Sequence, residues 1–349
     1  MKSLYIMGSV GSGKTAMAVG LALKFKQEGL KVAYFKPVGS TTLTSKADED
    51  AILMKELLNM PEPLEIISPI IASPLYLSRG NRSTEMLRAI KEAFTKVSTN
   101  TDIVIIDSAI YPYALSTIGL DSPSLAVELN ASAIYLINAK NDYTLDESVF
   151  HNRYIQSRGV NLLGNIFTHV PIPIQAKIEG VYKPLLADIG FSTLGIIPKQ
   201  RVLSSPSVAQ VHELLGGELL TGEDNLDLLT EDIIVGAMTI ESALVHLRRG
   251  NNKIFLIGGD RADMALAALE TSTSVIVLTG GLYPDVKVIN RAMEKGVPVL
   301  LVHYDTYTAI ERLSELAGRI TPKNQNCIRK AIENVERYCD WQGILRECK

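Results

Sequence analysis

Two groups of residues in this 349-residue chain have types and spacings that could do chemistry. The first is Gly8-Ser9-Val10-Gly11-Ser12-Gly13-Lys14-Thr15, which fits G-x-x-x-x-G-K-[ST] at every fixed position. Glycines let backbone N–H groups turn inward around phosphate oxygens, and the start of a following helix adds partial positive charge. Lys14 would reach the β- and γ-phosphates of ATP, and the Thr15 hydroxyl would ligate Mg²⁺. The context agrees: apolar Leu4–Met7 reads as a strand, and Lys14–Lys26 reads as a helix with Met17, Leu21, Ala22 and Phe25 on one face. The bland alternative is a glycine turn that binds nothing, but a Lys-Thr pair at the mouth of a helix serves no packing need.

A dinucleotide reading competes, because Gly11-Ser-Gly13-Lys-Thr-Ala16 also fits G-x-G-x-x-A. That use calls for an acidic residue after the second strand, to hold a ribose. Here the second strand, Lys31–Phe35, runs into Lys36-Pro37, and a lysine there suits a second phosphate contact. Asp107 ends the buried run Asp102–Asp107 and is placed to hold Mg²⁺ directly or through water. Asp102, at the other end of that run, belongs to the opposite edge of the sheet.

The second group lies late in the chain: Gly258-Gly-Asp260-Arg261-Ala-Asp263, then Leu278-Thr279-Gly280-Gly281, then Asp305-Thr306-Tyr307. Each follows an expected strand, and ligands of open α/β sheets bind beyond the carboxyl ends of strands. Arg261 offers five donors to a carboxylate or phosphate, and Gly280 and Gly281 allow close backbone approach. The competing reading is structural: Asp260 as a helix cap, Arg261 paired with an acid, and glycines in tight turns. These loops hold no Ser, Cys or His nucleophile, so they suit binding better than catalysis.

Alternating strands and helices must position both groups. Further strands are expected at Ala133–Asn138, Leu162–Thr168 and Thr193–Ile197, and a helix at Asp48–Asn59, giving a doubly wound, mostly parallel sheet. A stretch rich in Gly, Ser and Pro, from Ser204 to Asp224, reads as the domain boundary. The rhythm then restarts with strands at Asp232–Ala237, Lys253–Ile257, Ser274–Leu278 and Val297–His303. The helices between and after them are Ile240–Arg248, Ala262–Leu269, Val286–Lys295 and Tyr307–Ala317. The expected domains are therefore 1–203, 204–321 and an amphipathic helical tail, 322–349. Ile328, Ile332, Val335 and Cys339 share one face of that tail, which is expected to seal the second domain, with a dimer seam as the alternative.

Composition excludes several classes. Net charge is −3 and pI about 6.0, with no basic surplus for nucleic acid. The three cysteines form no CxxC pair and the five histidines no metal spacing. No apolar stretch approaches the roughly 18 residues that span a bilayer, and a cytoplasmic protein is the expectation.

The motifs of the first domain together resemble dethiobiotin synthetase and the related N-terminal domain of phosphotransacetylases. They are the phosphate-binding loop (P-loop), Lys36-Pro37-Val38-Gly39, the strand ending in Asp107, and Gly195-Ile-Ile197-Pro198. The resemblance implies a P-loop NTPase fold and Mg-ATP. It assigns Lys36 to the γ-phosphate and substrate, Asp50 to Mg²⁺ beside Thr15 and Asp107 (with Asp48 as the fallback), and Ile197 and Pro198 to the adenine pocket. It also implies a homodimer. The chain departs from the synthetase pattern in Asp107-Ser-Ala-Ile-Tyr111, where the family has glycines against the substrate, and in Thr168, where it has an asparagine for adenine. The second domain resembles the DRTGG domain, which accompanies such ATPase domains and occurs with nucleotide-sensing modules in some pyrophosphatases. The expectation is an ATP-dependent, ligase-like enzyme or ATPase acting on a small acid, with a ligand-sensing second domain. The alternative is a nucleotide-sensing regulatory protein without turnover. Phosphotransacetylase activity is not expected, since the chain ends shortly after the DRTGG region.

Overall fold

A computed structural model describes residues 1–40, 47–73, 75–79, 82–109, 111–314, 316, 318–322 and 324–348. Ile110 and Ala317, both included in the expectations above, lie outside the described residues. The chain forms two compact units, Met1–Gln200 with Ile320–Lys349, and Arg201–Arg319. Among the described residues, no helix is long and apolar enough to cross a membrane.

The first unit is built on β1 (Lys2–Gly8), β2 (Val32–Phe35), β5 (Ile103–Asp107), β6 (Ser132–Asn138), β7 (Leu162–Val170) and β8 (Thr193–Pro198). They form one parallel sheet in the order β2-β5-β1-β6-β7-β8, with a two-stranded annex of β3 (Val38–Gly39) and β4 (Ile70–Ile71). β1 and β5 are buried almost throughout, as a sheet covered on both faces requires. Placing β1 between β5 and β6 brings Gly8, Asp107 and Asn138 to one carboxyl edge.

The tail departs from the expectation. Its helices, Gln325–Tyr338 and Trp341–Glu347, belong to the first unit. The helix Lys14–Gln27 buries Met17, Ala18, Val19, Gly20, Leu21, Ala22 and Phe25, which is more than one face. The sheet covers one side and the tail the other, and a helix apolar all round needs both. Gly20 makes the fit possible, since a Cβ there would lie 2.5 Å from the Ala331 carbonyl oxygen. Cys339 bridges to Gly195 in β8, and Lys24 sits 4.8 Å from the Trp341 ring centroid.

Gly20→Ala should therefore destabilise the first unit. Alanine gains about 1 kcal/mol of helix propensity, but overpacking against a backbone carbonyl costs about 1–3 kcal/mol. The single tryptophan, Trp341, lies in the tail, so its emission during urea unfolding reads the shift. An unchanged or higher midpoint would contradict this packing.

The second unit is a five-stranded sheet of β9 (Glu218–Thr221), β10 (Ile233–Val235), β11 (Lys253–Gly258), β12 (Thr273–Thr279) and β13 (Val299–Leu301), in the order β10-β11-β12-β13-β9. Phe255, Ile257, Ile276 and Leu278 fill one core, while Ile254, Leu256, Val275 and Val277 fill the other. β9, antiparallel to β13, was not expected, because its glycine flanks read as a linker. Those glycines serve close approach instead. Gly217 is left-handed (φ 89°) against the Leu301 carbonyl, and a Cβ on Gly222 (φ 90°) would lie 2.5 Å from Pro298 Cα.

Lys253, at the start of β11, is fully buried. Its ammonium donates to the Thr271 hydroxyl (3.0 Å) and to the Ser272 carbonyl. Burial lowers its pKa to about 8, with Asp232 opposing. An unfolded lysine titrates near ~10.4, so between those values the unfolded chain holds a proton that the native one lacks. Stability therefore rises with pH in that window, by on the order of 2–3 kcal/mol. The buried thiols of Cys327, Cys339 and Cys348, with raised pKa values, act in the opposite direction in the first unit. The test is the stability of the wild type minus that of Lys253→Met, from hydrogen exchange of β11 and β12 amides. The difference should move in favour of the wild type from pH 8 to 10, and a flat difference would contradict the shift.

Candidate functional site

β1 delivers Gly8 to the sheet edge and the helix begins at Lys14. The intervening turn needs left-handed backbone at Gly11 (φ 66°) and Gly13 (φ 78°). Gly8 sits where a Cβ would be 2.9 Å from the Leu136 carbonyl oxygen of β6. Neighbouring strands brace the loop: Asn138 Nδ2 donates to the Gly11 carbonyl (3.0 Å), and the Thr168 hydroxyl lies 2.9 Å from the Ser12 carbonyl and 3.2 Å from that of Ile137. Lys14 folds back to the carbonyls of Gly8 (3.3 Å) and Ser9 (3.2 Å). Val10 is exposed at the tip of the turn.

Beside the loop stands a buried charge cluster. Lys36 leaves β2 with its Nζ against Asp50, 3.3 Å from Asp48 and 3.7 Å from Asp107. The Thr15 hydroxyl donates to Asp50 Oδ1 (3.0 Å), and the Tyr34 hydroxyl to Asp107 Oδ2 (2.9 Å). Asp48 caps the helix Glu49–Leu58 by accepting from Ala51 N (3.1 Å), and it also accepts from Ser40 N (2.9 Å). Of the two candidate aspartates, Asp50 is thus the one facing Thr15.

Burial works against the charge on Lys36, but Asp50, Asp107 and Asp48 outweigh it and raise its pKa. Burial alone would raise Asp50, yet Lys36 and Thr15 bring it below its usual value. Burial pushes Asp107 up to about 6, with Lys36 opposing and the negative charge of Asp50 adding to the rise. Burial also lowers Lys14. Asp107 Oδ1 has no hydrogen-bond partner although the residue is only 1 % exposed. Among the described residues, no group of three or more His, Cys, Asp or Glu is arranged to hold a metal alone. Thr15, Asp50 and the open oxygen of Asp107 nevertheless fit Mg²⁺, which takes few protein oxygens and completes its shell with phosphate and water.

A family model described as an AAA domain matches residues 2–207. The chain belongs to that family. The same chain carries a DRTGG domain over residues 210–316. Among curated proteins, the phosphate acetyltransferase of Nitratidesulfovibrio vulgaris is 24% identical over 371 residues, covering 97% of this chain and 50% of that protein. The enzyme of the same name from Synechocystis is 23% identical, covering 99% and 52%. The chain therefore spans about half the length of these relatives. Among solved structures, the MinD cell division protein of Aquifex aeolicus aligns with a TM-score of 0.38 and 15% identity, covering 58% of this chain and 84% of that one.

Within the AAA domain, the residues singled out from sequence divide into two groups. Gly8–Thr15, Lys36, Asp50 and Asp107 meet at one sheet edge. Ile197 and Pro198 end the outer strand β8, where Pro198 pairs with Val170. The Thr168 hydroxyl braces the loop through the Ser12 carbonyl. Three residues escaped the sequence reading. Tyr34 and Asn138 carry no signal beyond their places on strands. His169 has left-handed backbone (φ 52°), and its ring lies 3.0 Å from where a Gly13 Cβ would be. A histidine just past the expected strand Leu162–Thr168 gives no hint of left-handed backbone within β7.

In the DRTGG domain, Arg261 occupies the N-cap position of the helix Ala262–Leu269 and Asp260 does not cap it. The Arg261 guanidinium lies 3.4 Å from Asp263 and 3.4 Å from the Met238 carbonyl. The Thr279 and Thr306 hydroxyls are 2.7 Å apart. Gly280 (φ 84°) borders open space, and Gly281 (φ 68°) packs over His303.

Proposed function

We propose that the AAA domain binds Mg-ATP and transfers its γ-phosphoryl group to a small acid in a ligase-like reaction, and that the DRTGG domain senses a small anionic ligand. The carrying observation is Lys36, a second lysine held on the carboxylates that flank Thr15. In the reaction, a carboxylate or carbamate oxygen of the substrate attacks the γ-phosphorus. The bond from that phosphorus to the β–γ bridging oxygen breaks, and ADP leaves. Backbone N–H groups of Gly8–Thr15 bind the phosphates, while Lys14 and Lys36 stabilise the charge that spreads over the transferring oxygens. Thr15, Asp50 and Asp107 would hold Mg²⁺, which supplies neutralisation of phosphate charge. No protein nucleophile is needed. Ile197 and Pro198 would border the adenine. Asp260, Arg261, Thr279, Gly280 and Gly281 would take the second ligand, and the protein would be a cytoplasmic homodimer.

A specific feature favours the alternative, a nucleotide sensor without turnover. Tyr111 and Tyr113 stack with centroids 5.2 Å apart just after Asp107, where the synthetase pattern has glycines. Screening small carboxylic acids for stimulated ADP release separates the two. The ligase-like reading expects at least one acid to stimulate release, with Lys36→Ala losing roughly 100-fold of it. MgATP binding without stimulation by any acid would leave the sensor.

A further inference from the structure

We propose that Lys36 is a built-in counter-cation, which keeps free divalent metal out of the phosphate site until a nucleotide offers the lysine another anion. The proposal rests on the reading that Thr15, Asp50 and Asp107 take the metal. The Lys36 ammonium is buried and touches all three neighbouring carboxylates, Asp48, Asp50 and Asp107. Its backbone N–H donates to the Ile67 carbonyl (2.9 Å), so the side chain is delivered from a fixed point. The carboxylates are fixed as well: Asp48 by Ser40 N and Ala51 N, Asp50 by Thr15, and Asp107 by Tyr34.

A divalent ion arriving alone must therefore enter beside an ammonium that already neutralises its ligands. In a buried site that repulsion is weakly screened. A polyphosphate changes the balance, because the flexible lysine stem and its three donors can exchange carboxylate partners for phosphate oxygens. The unpartnered Asp107 Oδ1 is the acceptor that the lysine leaves open. A purely structural ion pair would confer no latent affinity for metal.

The test titrates Mn²⁺ without nucleotide, followed by the electron paramagnetic resonance signal of the free ion. The wild type should bind only at millimolar concentrations. Lys36→Met should gain affinity at least about tenfold, Lys36→Arg should not, and Lys36→Met with Asp107→Asn should lose the gain. If Lys36→Met does not fold, Lys36→Met with Asp48→Asn, which restores the net charge, carries the same expectation. Tight Mn²⁺ binding by the wild type, or no gain in the folded variants, would overturn the proposal. MgATP binding by the wild type is measured separately. Its absence alongside the Mn²⁺ gain would retire the nucleotide reading and leave the counter-cation, and its presence without the gain would do the reverse.

Discussion

Lys36→Ala will destabilise the first unit by about 3–5 kcal/mol, the cost of removing one partner from a buried ionic cluster. The magnitude follows from what remains. Asp48 and Asp107 are almost wholly buried, so water screens their charges little once the ammonium is gone, while the Asp50 side chain beside them stays 30 % exposed. Hydrogen bonds from Thr15, Tyr34, Ser40 and Ala51 satisfy some of their oxygens but bring no positive charge. The loss should be partly recovered by adding Asp50→Asn, because that removes one of the stranded charges. Residues in one network couple in this way, and a double-mutant cycle measures it. Trp341 reports the first unit in each variant. Additive effects of the two substitutions would show that Lys36 and Asp50 do not form the pair described.

Gly8→Ala will lower MgATP affinity by roughly 100-fold or more, whereas Gly11→Ala will lower it less than about tenfold. Both positions are fixed glycines or close neighbours of fixed ones in the loop pattern, yet their surroundings differ. A Cβ on Gly8 would meet Ser12 Oγ at 2.5 Å and the Leu136 carbonyl oxygen at 2.9 Å. The carbonyl belongs to the sheet, so the loop must shift instead, and the N–H groups that would surround phosphate shift with it. A Cβ on Gly11 would find only Asn138 Nδ2, at 3.8 Å. Its cost is the left-handed backbone, about 1–2 kcal/mol for a non-glycine residue. Affinities measured by calorimetry with urea midpoints alongside separate binding from folding. Equal losses at the two positions would contradict the packing beneath Gly8.

Much of this was legible in the sequence, for reasons that can be named. The loop Gly8–Thr15 fixes its own geometry, since its glycines, lysine and threonine have meaning only together. Buried parallel strands such as Ile103–Asp107 announce themselves as continuous apolar runs. Lys36 stood out because it follows the second strand, where a dinucleotide site would need an acid, and because it opens the Lys36-Pro37-Val38-Gly39 motif. The tail was misplaced because its amphipathic face says that it packs, but not on what. The missing clue was Gly20, whose bare backbone is a docking groove only when Ala331 is beside it. β9 was hidden by the same ambiguity, since Gly217 and Gly222 read as linker residues until their close approaches to Leu301 and Pro298 are seen. The resemblance put Asp50 first for Mg²⁺, with Asp48 as the fallback. Asp48 caps a helix and Asp50 faces Thr15, a difference that only their hydrogen-bond partners show.

The central claim is that Gly8–Thr15 is a working phosphate loop, and calorimetric titration with MgATP tests it most directly. The wild type should bind about one nucleotide per chain, and Lys14→Ala should bind roughly 100-fold more weakly. A wild type that takes up no MgATP, or a Lys14→Ala variant that binds it equally well, would contradict the account.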